Sequence, residues 1–160
     1  MKKNLPLWIA LGVVVVLVLW YISAQNNLVT LEETVNAKWS QVENVYQRRL
    51  DLIPNLVETV KGYAAQEKNL LTEITELRSR VGQMNVSKEI LDDPAAFERF
   101  QAAQGELGGA LSRLLVVSEN YPDLKSSQNF LALQSQLEGS ENRIAVERKR
   151  FIEAVQEYNT

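Results

Sequence analysis

The sequence predicts an all-α protein, an N-terminal transmembrane helix followed by a four-helix up-and-down antiparallel bundle. Three observations lead there. The 20 residues from Leu5 to Ala24 carry no charge. Beyond them, apolar residues recur at spacings of three and four along most of the chain, and no stretch alternates apolar and polar residues at period two. With 160 residues, 46% of them apolar, the chain suffices for one domain with a real core beside its anchor.

The anchor comes first. At about 1.5 Å per residue, Leu5 to Ala24 spans about 30 Å, the hydrocarbon thickness of a bilayer. Trp8 lies near one end and Trp20 and Tyr21 near the other, where amphipathic rings favour the interfaces. A cleaved signal peptide would use Lys2 and Lys3 as its basic region and Ile22-Ser23-Ala24 as its small-residue site. Its apolar core is usually about 7–15 residues, shorter than this run, which favours a retained anchor. Lys2 and Lys3 precede the span, and Lys38 is the single basic residue in the 20 that follow it. The positive-inside rule then expects a cytoplasmic N-terminus and a bundle outside the cytoplasm, with the inverted topology as the alternative.

Residues 1–24 are read as the short N-terminus and anchor, and 25–160 as the bundle, with helices at about 28–50, 54–81, 94–119 and 126–158. Leu28, Leu31, Val35, Trp39, Val42 and Tyr46 form the stripe of the first. Neither Gly nor Pro occurs between Gly12 and Pro54, so anchor and first bundle helix are expected to form one rod from about Leu7 to about Leu50. Pro54 lacks the N–H that a helix interior needs, and Asp51 stands where it can meet the free amides of a new helix. D-L-I-P-N-L is therefore read as a helix-to-helix corner or a sharp kink. The second helix carries Leu56, Val60, Tyr63, Leu70, Ile74, Leu77 and Val81, and ends at Gly82. Asp93 caps a third that opens on Pro94, with Phe97, Phe100, Leu107, Leu111 and Leu114 inward. Gly105, Gly108 and Gly109 weaken it, a cost expected where another helix packs closely. Tyr121-Pro122-Asp123 breaks the chain before the last helix, whose stripe runs from Phe130 to Tyr158.

Polar residues interrupt these stripes. Glu67 and Glu141 occupy seam positions, with Glu138 one turn before the latter. The chain has neither histidine nor cysteine, which removes serine triads, disulfides, thiolate nucleophiles and the Glu-x-x-His di-iron pattern. An all-carboxylate metal site remains the weaker alternative. The stronger is a buried interhelix network in which Arg48, Arg49, Arg143 and Arg148 neutralise the acids, Glu67 being expected to pair with an arginine of another helix. The basic run Arg148-Lys149-Arg150 is flanked by Glu147 and Glu153, as a solvated face would be. With a net charge of −3 and no basic stripe, nucleic acid is not expected as a partner.

Several words in the chain carry a resemblance. They are W-S-Q-V-E-N at Trp39–Asn44, Q-R-R-L-D-L-I-P-N-L-V at Gln47–Val57, V-K-G-Y-A at Val60–Ala64, E-N-Y-P-D-L-K at Glu119–Lys125 and F-L-A-L-Q-S-Q-L-E-G-S-E-N-R-I at Phe130–Ile144. Together they make the chain resemble the LemA family. The resemblance implies a bacterial, membrane-associated protein with a transmembrane helix, a four-helix bundle and no established enzymatic activity. It transfers no catalytic residue, and marks Arg48, Arg49, Asp51, Pro54, Asn55, Glu138, Glu141, Asn142 and Arg143 as motif positions. Members usually continue into a tail with Pro and Phe, whereas this sequence stops at Asn159-Thr160.

The expected function is that of a non-enzymatic scaffold or adaptor, held in the bacterial inner membrane by residues 5–24 and acting on other envelope proteins. A self-assembling membrane organiser, hence a homo-oligomer, is the alternative, and a carboxylate-based metal enzyme the lesser one. No cofactor is expected. The candidate polar network or partner surface comprises Arg48, Arg49, Asp51, Asn55, Glu67, Glu138, Glu141, Arg143 and Arg148, with Pro54 at the corner.

Overall fold

A computed structural model of the chain describes residues 5–84 and 86–160, with side-chain surroundings for all of these except 5–7, 9 and 10. The Lys2 and Lys3 flank of the orientation argument lies outside the described residues. Among the described residues there are five α-helices: α1 (Leu5–Tyr63), α2 (Lys68–Gly82), α3 (Pro94–Ser118), the short α4 (Pro122–Lys125) and α5 (Gln128–Tyr158). Two 3₁₀ turns, Ala65–Glu67 and Lys88–Asp92, join α1 to α2 and α2 to α3. No strand occurs among the described residues.

The first helix is a single element of 59 residues. Its N-terminal part is long and apolar enough to cross a membrane, and its side chains from Leu11 to Ile22 are exposed on every side, as a lipid-facing surface must be. Gln25, Asn26 and Asn27 lie inside the helix. Trp39 is the first buried residue along it, about 22 Å beyond Ala24 at the helical rise. The helix meets the bundle a little earlier, where Glu32, Val35 and Asn36 border Lys88, Leu91 and Tyr158.

Contrary to the expectation of a corner, the chain does not turn at Pro54. The buried stripe Leu50, Ile53, Leu56 and Val60 runs through the proline without a change of phase, so leaving the helix there would expose it. Proline costs the helix one bond, because residue 54 has no N–H for the carbonyl of Leu50. Arg78 of α2 supplies the donor, its Nε lying 3.0 Å from that oxygen. The turn comes ten residues later, at Ala64, whose φ of −128° and ψ of 52° leave the helical region. Tyr63, expected in the seam, is accordingly 49% exposed.

Up-and-down order follows from the pairs that meet. Trp39 near the base of α1 donates from Nε1 to Val86 O at 2.9 Å, in the connection that α2 returns to. The same ring meets Phe97 and Phe100 at the start of α3 and Phe151 near the end of α5. At the far end Tyr121, after α3, donates to Glu67, after α1. Hence α1 and α3 run away from the anchor, and α2 and α5 run back. Asp93 caps α3 by accepting from Ala96 N at 3.0 Å, with Pro94 in the first turn where its missing N–H is harmless. The core fills the axis with Trp39, Phe100 and Phe130 and with Ile53, Leu56, Ile74, Leu107, Leu114 and Leu124.

Candidate functional site

Halfway along the bundle a charge sits in the apolar core. Arg49 of α1 is 2% exposed, in the stripe that holds Tyr46, Leu50 and Ile53. Its guanidinium reaches across to α3 and α5. Nη1 lies 2.6 Å from Glu141 Oε1, and Nη2 donates to the side-chain oxygen of buried Gln104. The Cζ atom stands 5.4 Å from the Tyr46 ring centre, within cation–π range. Gly108 completes the cradle: a Cβ there would come within 3.7 Å of Nη1, ordinary van der Waals contact. At Gly105 and Gly109 a Cβ would meet open space, so no packed helix explains those two glycines.

An ion in a core requires a counter-ion and hydrogen bonds, since desolvation otherwise outweighs the attraction. Arg49 has both, though its Nε and the Gln104 Nε2 are buried donors without a protein acceptor. Glu141 keeps 44% of its side chain exposed, so the pair runs from a dry end on α1 to a wet end on α5. Arg49 thereby ties three helices at one height, which fixes their register.

The other expected residues do not join this network. Arg48, Asp51 and Asn55 are exposed on the outside of α1, Asp51 accepting from Gln47 at 2.8 Å. Glu138 accepts from Gln134 on its own helix, and Arg143 is exposed. Arg148 lies lower on α5 and donates to Gln101 Oε1 of α3 at 2.9 Å. Glu67 is not paired with an arginine. It sits in the turn after α1 and accepts from the Tyr121 hydroxyl at 2.9 Å. This bond favours the protonated phenol and, with some desolvation, raises the pKa of Tyr121. Tyr46 is also raised, chiefly by burial, against the opposing pull of Arg148 and Arg49. Glu138 and Glu141 line one open groove with Gly108 and Asn142, Glu67 lies apart from it, and no group of three or more Asp or Glu side chains that could hold a metal ion occurs among the described residues.

Gln104 of the site, and Arg78 beside it on the Leu50 carbonyl, went unrecognised in the sequence. Gln104 stands four residues after Phe100 and three before Leu107, a core position by spacing, and that signal was available. Arg78 was foreshadowed only indirectly, through the carbonyl that Pro54 leaves without a donor.

With this geometry, the chain is similar to several known proteins. Magnetosome protein MamQ of Magnetospirillum gryphiswaldense is 29% identical over 151 residues, covering 84% of this chain and 55% of its own length. Magnetosome protein MamQ 2 of Paramagnetospirillum magneticum has the same identity and coverage, 29%, 84% and 55%. Protein LemA of Metamycoplasma hominis is 24% identical over 124 residues, 78% of this chain and 52% of its own length. The chain spans about half the length of the curated relatives it matches. The family model described as LemA family matches residues 38–160, all of the bundle from the level of Trp39, and the chain therefore belongs to the LemA family.

Proposed function

We propose that this protein is a membrane-tethered scaffold or adaptor of the bacterial cell envelope, working through contacts between its bundle and other proteins and without catalysis. The observation that carries the reading is the continuity of α1 from the apolar anchor to the far end of the bundle. A tether of flexible chain lets a domain search in all directions, whereas a helix holds it at one height and in one orientation. Such constraint suits a protein that presents a fixed face to its neighbours. The site is consistent with this, for the buried charge of Arg49 is spent on joining helices. The basic flank at Lys2 and Lys3 further supports a bundle outside the cytoplasm.

The test is in-cell crosslinking. Photo-reactive residues replacing Leu131 and Val146, both 48% exposed on α5, should capture a small, reproducible set of envelope proteins identified by mass spectrometry. Capture of this chain alone would replace the adaptor with a self-assembling organiser. A reporter active only in the cytoplasm, fused at Thr160, should be silent, and its activity would invert the topology.

A further inference from the structure

At the base of the bundle, between α1, α3 and α5, lies a cavity of about 190 Å³ that the scaffold reading does not use. Its walls are Trp39, Val42, Tyr46, Phe97, Phe100 and Phe151. The rings are set edge to face or tilted around it, with Trp39 and Phe151 centred 5.2 Å apart and Tyr46 and Phe100 also 5.2 Å apart. At its rim stand Gln101, Arg148 and Ile152, the last 51% exposed. Trp39, Val42 and Phe100 close its floor at 1–2% exposure, so the room for a ligand lies above them, over Phe97 and Phe151 and open to solvent at the rim.

The rim carries an unpaired charge. In the run Arg148-Lys149-Arg150, Lys149 has Glu153 at 3.8 Å and Arg150 has Glu147 at 2.8 Å. Among the described residues Arg148 has no carboxylate partner, and its guanidinium is held by the neutral amide of Gln101 across the rim. Tyr46 adds a phenol beneath it, within hydrogen-bonding reach of Arg148 and protonated at neutral pH as phenols ordinarily are, so able to donate. An apolar, ring-walled space thus opens onto an unneutralised cation and a phenolic donor. Ligand sites are built in this way, with apolar walls for the body and a few convergent polar groups for the head.

We propose that this cavity binds a small organic monoanion, a carboxylate of about six carbons, with its apolar body over the Phe97 and Phe151 rings and the carboxylate on Arg148 and Tyr46. Size sets the body: at about 30 Å³ for each water-sized group, the space takes about six. Height sets the source. Trp39 lies about 22 Å beyond the end of the apolar run at Ala24, so an acyl chain rooted in the bilayer would have to leave it, whereas a free solute enters from the side through the rim. Binding would displace the Gln101 amide and give Arg148 a charge-assisted, bidentate partner.

The test uses the full chain in detergent. Replacing Trp8 and Trp20 with Phe leaves Trp39 as the one tryptophan, and it forms a wall of the cavity. Hexanoate should change its fluorescence saturably and raise the melting temperature with concentration. Hexanol, of the same length without charge, should bind about ten-fold or more weaker. Arg148→Met, which keeps the stem and removes the charge, should bring hexanoate down to the level of hexanol while its own melting temperature stays near that of the parent. Equal binding of hexanoate and hexanol, undiminished hexanoate binding by Arg148→Met, or no saturable response in either readout would overturn the proposal.

Discussion

Arg49 is the residue on which the bundle's interior turns, and its partners predict how it fails. Glu141→Gln removes the counter-ion and leaves a guanidinium in the core. The loss should be about 2–3 kcal/mol, below the ~3–5 kcal/mol of a fully enclosed pair because Glu141 is half in water. Arg49→Met removes the charge altogether, leaves Gln104 without its donor, and should cost less. The double variant should come close to Arg49→Met alone, since Glu141 can then return to solvent. Denaturant titration of the four proteins reads the coupling, and additive losses would show the pair to be independent. The two raised tyrosines give a second prediction. A phenol whose pKa is higher in the folded state holds its proton longer there than in the unfolded chain, so its contribution is present below pH ~10 and lost as pH rises through the folded value. The denaturation midpoint should be level through neutrality and decline above pH ~10, with a shallower decline in the double variant Tyr46→Phe, Tyr121→Phe.

Among the elements, α1 and α2 depend on one bond that neither could make alone. Pro54 strands the Leu50 carbonyl and Arg78 covers it from the neighbouring helix, so the two substitutions should not add. Arg78→Ala should destabilise by about 1–2 kcal/mol, the worth of a partly buried hydrogen bond with a charged donor. In a Pro54→Ala background, where residue 54 donates to Leu50 itself, most of that cost should vanish. An unchanged cost of Arg78→Ala in both backgrounds would mean that the carbonyl is not what Arg78 serves. The same bond explains where the sequence misled. Anchor, bundle, the Asp93 cap and the stripes of α3 and α5 were legible because each rests on local spacing or on one capping side chain. The corner assigned to Pro54 rested on local chemistry too, and a donor from 28 positions away answered it. Stripe phase was the better guide: Ile53, Leu56 and Val60 keep the three-four interval across the proline, while Glu67 falls in a turn where seam logic no longer holds. The basic residues show the same divide. Arg48 and Arg49 are neighbours in sequence, and a single helical step of about 100° sends one to solvent and the other to the core.

For the molecule as a whole, the long α1 makes the membrane and the bundle one mechanical unit, and this is open to a phase experiment. Residues 25–30 form a stalk in which every side chain is exposed, before Glu32, Val35 and Asn36 come against the bundle, so an insertion after Asn27 does not disturb the core. Two glycines placed after Asn27 would weaken the helix by about 1 kcal/mol each relative to alanine. Where the helix persists, they turn the bundle by about 200° around the rod, since each residue adds about 100°. Seven alanines at the same point turn it by about 700°, within about 20° of two full turns, while raising it by about 10 Å. If the bundle acts by presenting one face to partners in the envelope, the glycine pair should abolish most of the crosslinks formed from Leu131 and Val146, and the alanine heptad should retain them. Both variants should keep the parent's bundle melting temperature, because the core begins only at Trp39. Undiminished crosslinking by the glycine variant would show that orientation is immaterial and that α1 serves as a plain tether. Loss in both variants would show that the rod fixes height above the bilayer as well as facing.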